Sequence, residues 1–71
     1  MYATLFNRSS GSTVVQTTVA ELLQFIKAFA HTVTDVDDRT ELEDLLEYDV
    51  EFYERVGKVE GSTFVVQVWK P

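Results

Sequence analysis

The segment TDVDDRTELEDLLEYDVEFYE, Thr34–Glu54, holds ten of the twelve acidic residues in this 71-residue chain and a single base, Arg39. Carboxylates at that density can do three kinds of chemistry: acid–base catalysis in pairs, ligation of hard cations, or presentation of a negative surface to a basic partner. Catalytic pairs need a cleft, and a chain this short rarely encloses the ~300 Å³ that buries a small substrate. Cation ligation is testable on spacing. Against the EF-hand loop, Asp35 and Asp37 fit the first and third positions of DVDDR, but Arg39 stands fifth, Thr40 replaces the sixth-position glycine and Leu46 the final glutamate.

Nucleophilic catalysis is equally poorly served, because the chain has no cysteine and one histidine, His31, and a catalytic base needs both an orienting partner and a nucleophile. His31 falls near the end of a helical stripe, where an imidazolium suits the helix dipole. The hydroxyls of RSSGST read as turn residues, and their lone glycine is no phosphate cradle. We expect no enzyme, no cofactor and no metal site.

The third chemistry fits better. Residues 35–54 carry net charge −9, whereas the other 51 residues carry five bases and two acids, net +3. Glu43 and Glu47, and Glu47 and Glu51, are spaced i and i+4, where like charges on a helix cost a few tenths of a kcal/mol per pair. Asp38, Glu41 and Glu43 are explained as dipole-favoured residues near a helix start, but Glu47, Asp49, Glu51 and Glu54 lie toward or beyond the predicted helix end. Tyr48 and Tyr53 are interleaved with them, and tyrosine buries a large area at low entropy cost. The predicted partner-binding set is Asp44, Glu47, Tyr48, Asp49, Glu51, Tyr53 and Glu54. In general character the chain is similar to the small acidic inhibitors that phages and mobile elements direct at host nucleic-acid machinery. That likeness implies a protein-binding module whose carboxylates replace phosphates in a basic nucleic-acid-binding groove. The rival expectation is a subunit that self-associates, as a homodimer, through a sheet edge or an aromatic face of Tyr53 and Trp69.

These residues must be positioned by a fold. Tyr2–Asn7 and Thr13–Thr18, rich in aromatic and β-branched residues and joined by RSSGS, predict a hairpin. Thr18 and Glu21 have capping-box spacing, and Val19, Leu22, Leu23, Ile26, Phe29, Ala30 and Val33 form the apolar stripe of a long helix. TDVDD then reads as a connection to a second capping box at Thr40 and a short helix over Glu41–Tyr48. From Asp49 the period changes to two, predicting a strand over Val50–Val56, a turn at GKVEGS and a last strand over Thr63–Trp69 with Phe64, Val66 and Val68 toward the helices. The order is ββααββ: an α+β two-layer sandwich with an antiparallel sheet of about four strands beneath one long and one short helix.

Composition bounds the rest. Seventy-one residues make one domain, residues 1–71, and without cysteine its stability must come from packing, which at this size seldom exceeds ~3 to 5 kcal/mol. No apolar run approaches the ~20 residues that span a bilayer, and MYATLFNRSS lacks the pattern of a secretory signal, so a cytoplasmic protein is expected. A formal charge of −6 opposes direct binding to nucleic-acid backbones or anionic membranes. Because DVDDR fails as a metal loop, excess EDTA should leave the thermal midpoint within a few degrees of its starting value; a larger fall would make that segment a structural metal site.

Overall fold

The computed structural model describes residues 2–70. Strands β1 (Tyr2–Asn7) and β2 (Ser12–Thr17) are followed by helices α1 (Val19–Ala30), α2 (Val36–Leu45) and α3 (Val50–Val56), then strands β3 (Lys58–Glu60) and β4 (Phe64–Trp69). The strands form one antiparallel sheet in the order β2-β1-β4-β3, so the first and last strands pair at its centre. The predicted α+β class and four-stranded antiparallel sheet are present. The helix count is three rather than two, and the difference lies in the acidic half.

Alternation along the central strands decides which face is covered. Ala3 and Leu5 on β1, and Phe64, Val66 and Val68 on β4, are buried beneath the helices together with Val19, Leu22, Ile26 and Ala30 of α1. The phase expected for the last strand is therefore the observed one. α1 begins as its capping signal predicts: Thr18 Oγ1 accepts the Glu21 amide at 3.2 Å and donates to Glu21 Oε1 at 3.0 Å. It stops at Ala30, where Thr32 Oγ1 donates to the Phe29 carbonyl at 2.8 Å within a β-branched run unfavourable to helix. Phe29, expected in the core, is half-buried and meets Phe64 edge-on, with ring centroids 6.3 Å apart.

The second helix starts five residues earlier than the capping box at Thr40 suggests. Asp35 is its N-cap, accepting the Asp38 amide at 3.0 Å, so DVDDR is a helix start rather than a connector. Thr40 sits inside the helix and turns its hydroxyl to the Val36 carbonyl at 2.9 Å. Residues Val50–Val56, expected as a strand, form α3 instead. Asp49 caps it by accepting the Phe52 amide at 2.8 Å, and Gly57 ends it at φ 78°, a left-handed conformation that glycine adopts without penalty. Those two punctuation residues, with Glu51 in the first turn and Arg55 in the last, outweigh an alternation only seven residues long. The edge strand that completes the sheet lies in what reads as the turn GKVEGS, with Val59 opposite Val66.

Two buried leucines, Leu42 and Leu45, hold α2 to the core, and a polar latch supplements them. From the middle of α2 the Glu41 carboxylate reaches the β3–β4 turn and accepts three successive backbone amides: Ser62 and Thr63 on Oε1 at 3.0 and 3.1 Å, and Phe64 on Oε2 at 2.6 Å. Gly61 makes this possible, since a Cβ there would lie 2.6 Å from Glu41 Cδ. Hydrogen bonds to a charged group contribute ~1.5 to 3 kcal/mol each when partly buried. We therefore expect Glu41→Gln to destabilise the fold by at least ~1.5 kcal/mol in chemical denaturation, and Gly61→Ala to do similar harm by displacing the same carboxylate. The double variant should cost clearly less than the sum of the two, because both remove one interaction; additive losses would show that the latch contributes little.

Candidate interaction surface

The ten carboxylates of residues 35–54 do not act alike. Asp35 and Asp49 cap helices, and Glu41 holds the turn. The remaining seven, Asp37, Asp38, Glu43, Asp44, Glu47, Glu51 and Glu54, make no ion pair and no side-chain hydrogen bond among the described residues. Arg39, the base within the segment, neutralises none of them: its Nε and Nη2 donate to the Val33 carbonyl at 3.1 and 2.8 Å, tying α2 to the end of α1. The ion pair found among the described residues, Lys58–Glu60 at 2.9 Å, lies on the sheet.

The new helix boundaries change which acids need explaining. Glu51 falls in the first turn of α3, where the dipole favours it, and Asp49 is a cap. Glu43 and Asp44, in contrast, lie in the last turn of α2, which contains no base, and Glu47 follows immediately. Negative charge at a helix C-terminus is unfavourable by roughly 0.3 to 1 kcal/mol per group at low salt. Glu43, Asp44 and Glu47 are all exposed, so the cost is not offset by packing. Beside them Tyr48 is 42% exposed and stacks on Phe52 with centroids 4.3 Å apart and an interplanar angle of 14°, which presents a fixed ring at the α2–α3 corner. Arg55 lies 5.6 Å from the Phe52 centroid and steadies that stack.

Of the predicted set, the structure brings Asp44, Glu47 and Tyr48 together at this corner, with Glu51 on the adjoining α3 and Glu54 half-buried farther along it. Tyr53 does not belong to it. It is wholly buried, donates its hydroxyl to the Leu45 carbonyl, and serves as the core residue of α3. In a strand it would alternate outward; in a helix it stands three residues from Val50 and turns inward with it. Nor does it share a face with Trp69, as a strand at Val50–Val56 would require.

Trp69 belongs instead to the uncovered side of the sheet, where strand register aligns side chains in rows. Tyr2 opposes Trp69; Lys58, Gln67, Thr4 and Gln16 form the next row on this face; Glu60, Val65, Phe6 and Thr13 form the one after. Together with Arg8 they line a shallow open groove of about 590 Å³. The alternation of β1 was visible in the sequence, but its outward residues carry no charge pattern to draw notice. Compared with known proteins, the chain matches no family model, no curated protein and no solved structure. Function must therefore be argued from these two surfaces.

Burial raises the Tyr53 hydroxyl well above the ordinary tyrosine value near 10, with nearby Tyr48 adding to the effect. The unfolded chain ionises first, so the stabilisation linked to this group is complete below pH ~10 and is lost as the pH rises beyond it. Tyr53→Phe should cost about 1 to 3 kcal/mol at neutral pH by leaving the Leu45 carbonyl unpaired, and should flatten the alkaline fall in stability followed by circular dichroism. An unchanged alkaline profile would place that titration elsewhere.

Proposed function

We propose that the protein is a non-enzymatic binding module whose α2–α3 corner docks on a basic, nucleic-acid-binding surface of a partner protein, where its carboxylates stand in for phosphates. The observation that carries this reading is the placement of Glu43, Asp44 and Glu47 at a helix end that disfavours them, exposed and without a countercharge among the described residues. Solubility alone would be served by acids at a helix start or alternated with lysine. Tyr48 supplies a preorganised aromatic anchor within the charged patch, the combination that concentrates binding energy at an interface. Duplex DNA carries one charge per ~1.7 Å of axis, and a groove evolved for it attracts any rigid array of comparable density. Self-association through a sheet edge finds less support. β2 is bulged between the Leu5 and Phe6 pairings and β3 has only three residues, both devices that discourage edge-to-edge pairing.

A binding site placed against local stability makes an unusual joint prediction. Reversing Glu43, Asp44 and Glu47 to lysine should raise stability by about 0.3 to 1 kcal/mol per site, because the helix end gains favourable charge. The same variant should lose its partner, since close interfacial charge pairs couple by ~1.5 to 7 kcal/mol each. Affinity capture from lysate with wild type and variant in parallel, eluting with salt or with duplex DNA, reads both arms. A partner that binds both proteins equally, or that DNA does not displace, would sink the proposal.

A further inference from the structure

The uncovered face of the sheet is chemically unlike the rest of the molecule. Its one carboxylate, Glu60, accepts a hydrogen bond from the Lys58 ammonium, which holds that carboxyl below the usual range. Arg8 stands at the opposite end of β1 from Tyr2, its guanidinium donating to the Gly61 carbonyl at 3.2 Å. The groove lining thus carries two bases and one neutralised acid, while the net −9 of residues 35–54 belongs to the helical layer. An overall charge of −6 opposes duplex binding, which draws its affinity from many phosphates, but the segregation of charge leaves this face cationic.

Two of its three aromatic residues are exposed and the third, Phe6, is half-buried. Tyr2 and Trp69 are 46% and 47% exposed, and the Trp69 indole N–H donates to Thr4 Oγ1 at 3.1 Å, which orients the ring across the sheet. Phe6 lies four residues along β1 from Tyr2, ~13 Å in an extended strand. Between them runs the polar row of Gln67, Thr4 and Gln16; the Gln67 amide nitrogen donates to the Gly57 and Val68 carbonyls at 3.1 and 3.3 Å, which leaves its carbonyl oxygen and the Gln16 amide to meet the edges of planar bases. The open groove of about 590 Å³ runs across these rows and has room for an extended ligand. We propose that this face binds a short single strand of nucleic acid, about two or three bases stacking on Trp69, Tyr2 and Phe6 while Arg8 and Lys58 meet phosphates. The strand would occupy the side opposite the helices, leaving the α2–α3 corner free.

A labelled deoxythymidine oligomer of about six nucleotides tests this by anisotropy, with the intrinsic fluorescence of Trp69, the single tryptophan, reporting contact at the site. Saturable binding with parallel quenching is expected, without comparable binding of duplex DNA or inorganic polyphosphate. Two phosphate contacts on a single strand predict a log–log salt slope of about −1.4. Tyr2→Ala should weaken binding by about 5-fold to 150-fold without altering the thermal midpoint, whereas Glu47→Lys should not weaken it, which separates this face from the acidic one. Polyphosphate binding as strong as the oligomer's, or unchanged affinity in Tyr2→Ala, would overturn the assignment. So would sedimentation showing a dimer that Tyr2→Ala abolishes in a protein with no affinity for the oligomer, since the face would then belong to a second copy.

Discussion

The antiparallel pairing of β1 with β4 is the constraint on which the rest of the structure depends. It joins residues as far apart as Tyr2 and Trp69, 67 positions in sequence, and every other layer is defined relative to it. Closing a loop of that length costs roughly 3 to 4 kcal/mol in chain entropy beyond a constant term, comparable to the whole stability expected at this size. Only a face that is buried at once can offset it. Ala3, Leu5, Phe64, Val66 and Val68 supply that face, and α1 covers it with a stripe whose capping is set locally by Thr18 and Glu21. Both hairpin partners, β2 and β3, are attached to strands already fixed by this central pair.

The acidic half is held more sparingly, and mostly by polar contacts. α2 buries two leucines, α3 a single tyrosine, and the gaps in apolar area are bridged by three specific interactions. Glu41 grips the β3–β4 turn, Arg39 the carbonyl of Val33, and Tyr53 the carbonyl of Leu45. Each connects one element to the backbone of another, so α2 is joined to the end of α1, to α3 and to the sheet at once. This economy has a chemical consequence: Arg39, whose i+4 neighbour on α2 is Glu43, and Glu41 are both committed to backbone groups. Neither shields the neighbouring acids.

What was legible in the sequence follows from this division. The first hairpin, α1 and the inward phase of β4 rest on apolar periodicity and on caps close to the residues they serve, and those signals survive folding unchanged. The acidic half was misread because its short elements are set by punctuation. Over Val50–Val56 the residues satisfy alternation nearly as well as a helix, and Asp49 with Gly57 decides between them. Thr40 has capping-box spacing, yet Asp35 caps the helix, since starting there gains another turn and places Leu42 and Leu45 against the core. The predicted partner-binding set rested on the same strand assignment. Tyr53 was grouped with exposed acids because a strand would have turned it outward, while Glu43 was discounted because the helix was thought to begin, not end, near it. The sheet face was read only in part, with Trp69 on it beside Tyr53: its neighbours Tyr2, Thr4, Phe6 and Lys58 become visible only when register is known.

Charge and secondary structure are opposed most strongly at the C-terminal turn of α2, where Glu43 and Asp44 have no base beside them; in the last turn of α3, Glu54 is accompanied by Arg55. At the other helix ends the chain follows electrostatic preference: Glu21, Asp37, Asp38 and Glu51 occupy first turns, and Lys27 occupies a last turn. The departure is therefore concentrated at the end of α2, for the same sequence places acids favourably four times. It also coincides with the point where α2 gives way to α3, where Glu47 is followed by the exposed ring of Tyr48 and the capping Asp49. Amide or basic side chains in place of Glu43, Asp44 and Glu47 would have closed the helix at lower cost and left the fold intact, because these three are exposed and make no side-chain hydrogen bond among the described residues, unlike the capping Asp49. Stability does not require those three carboxylates, and neither does solubility, which the other exposed acids already provide. A surface that opposes the dipole at that helix end, with its flanking ring held by stacking, is the feature on which the proposed cationic contact rests.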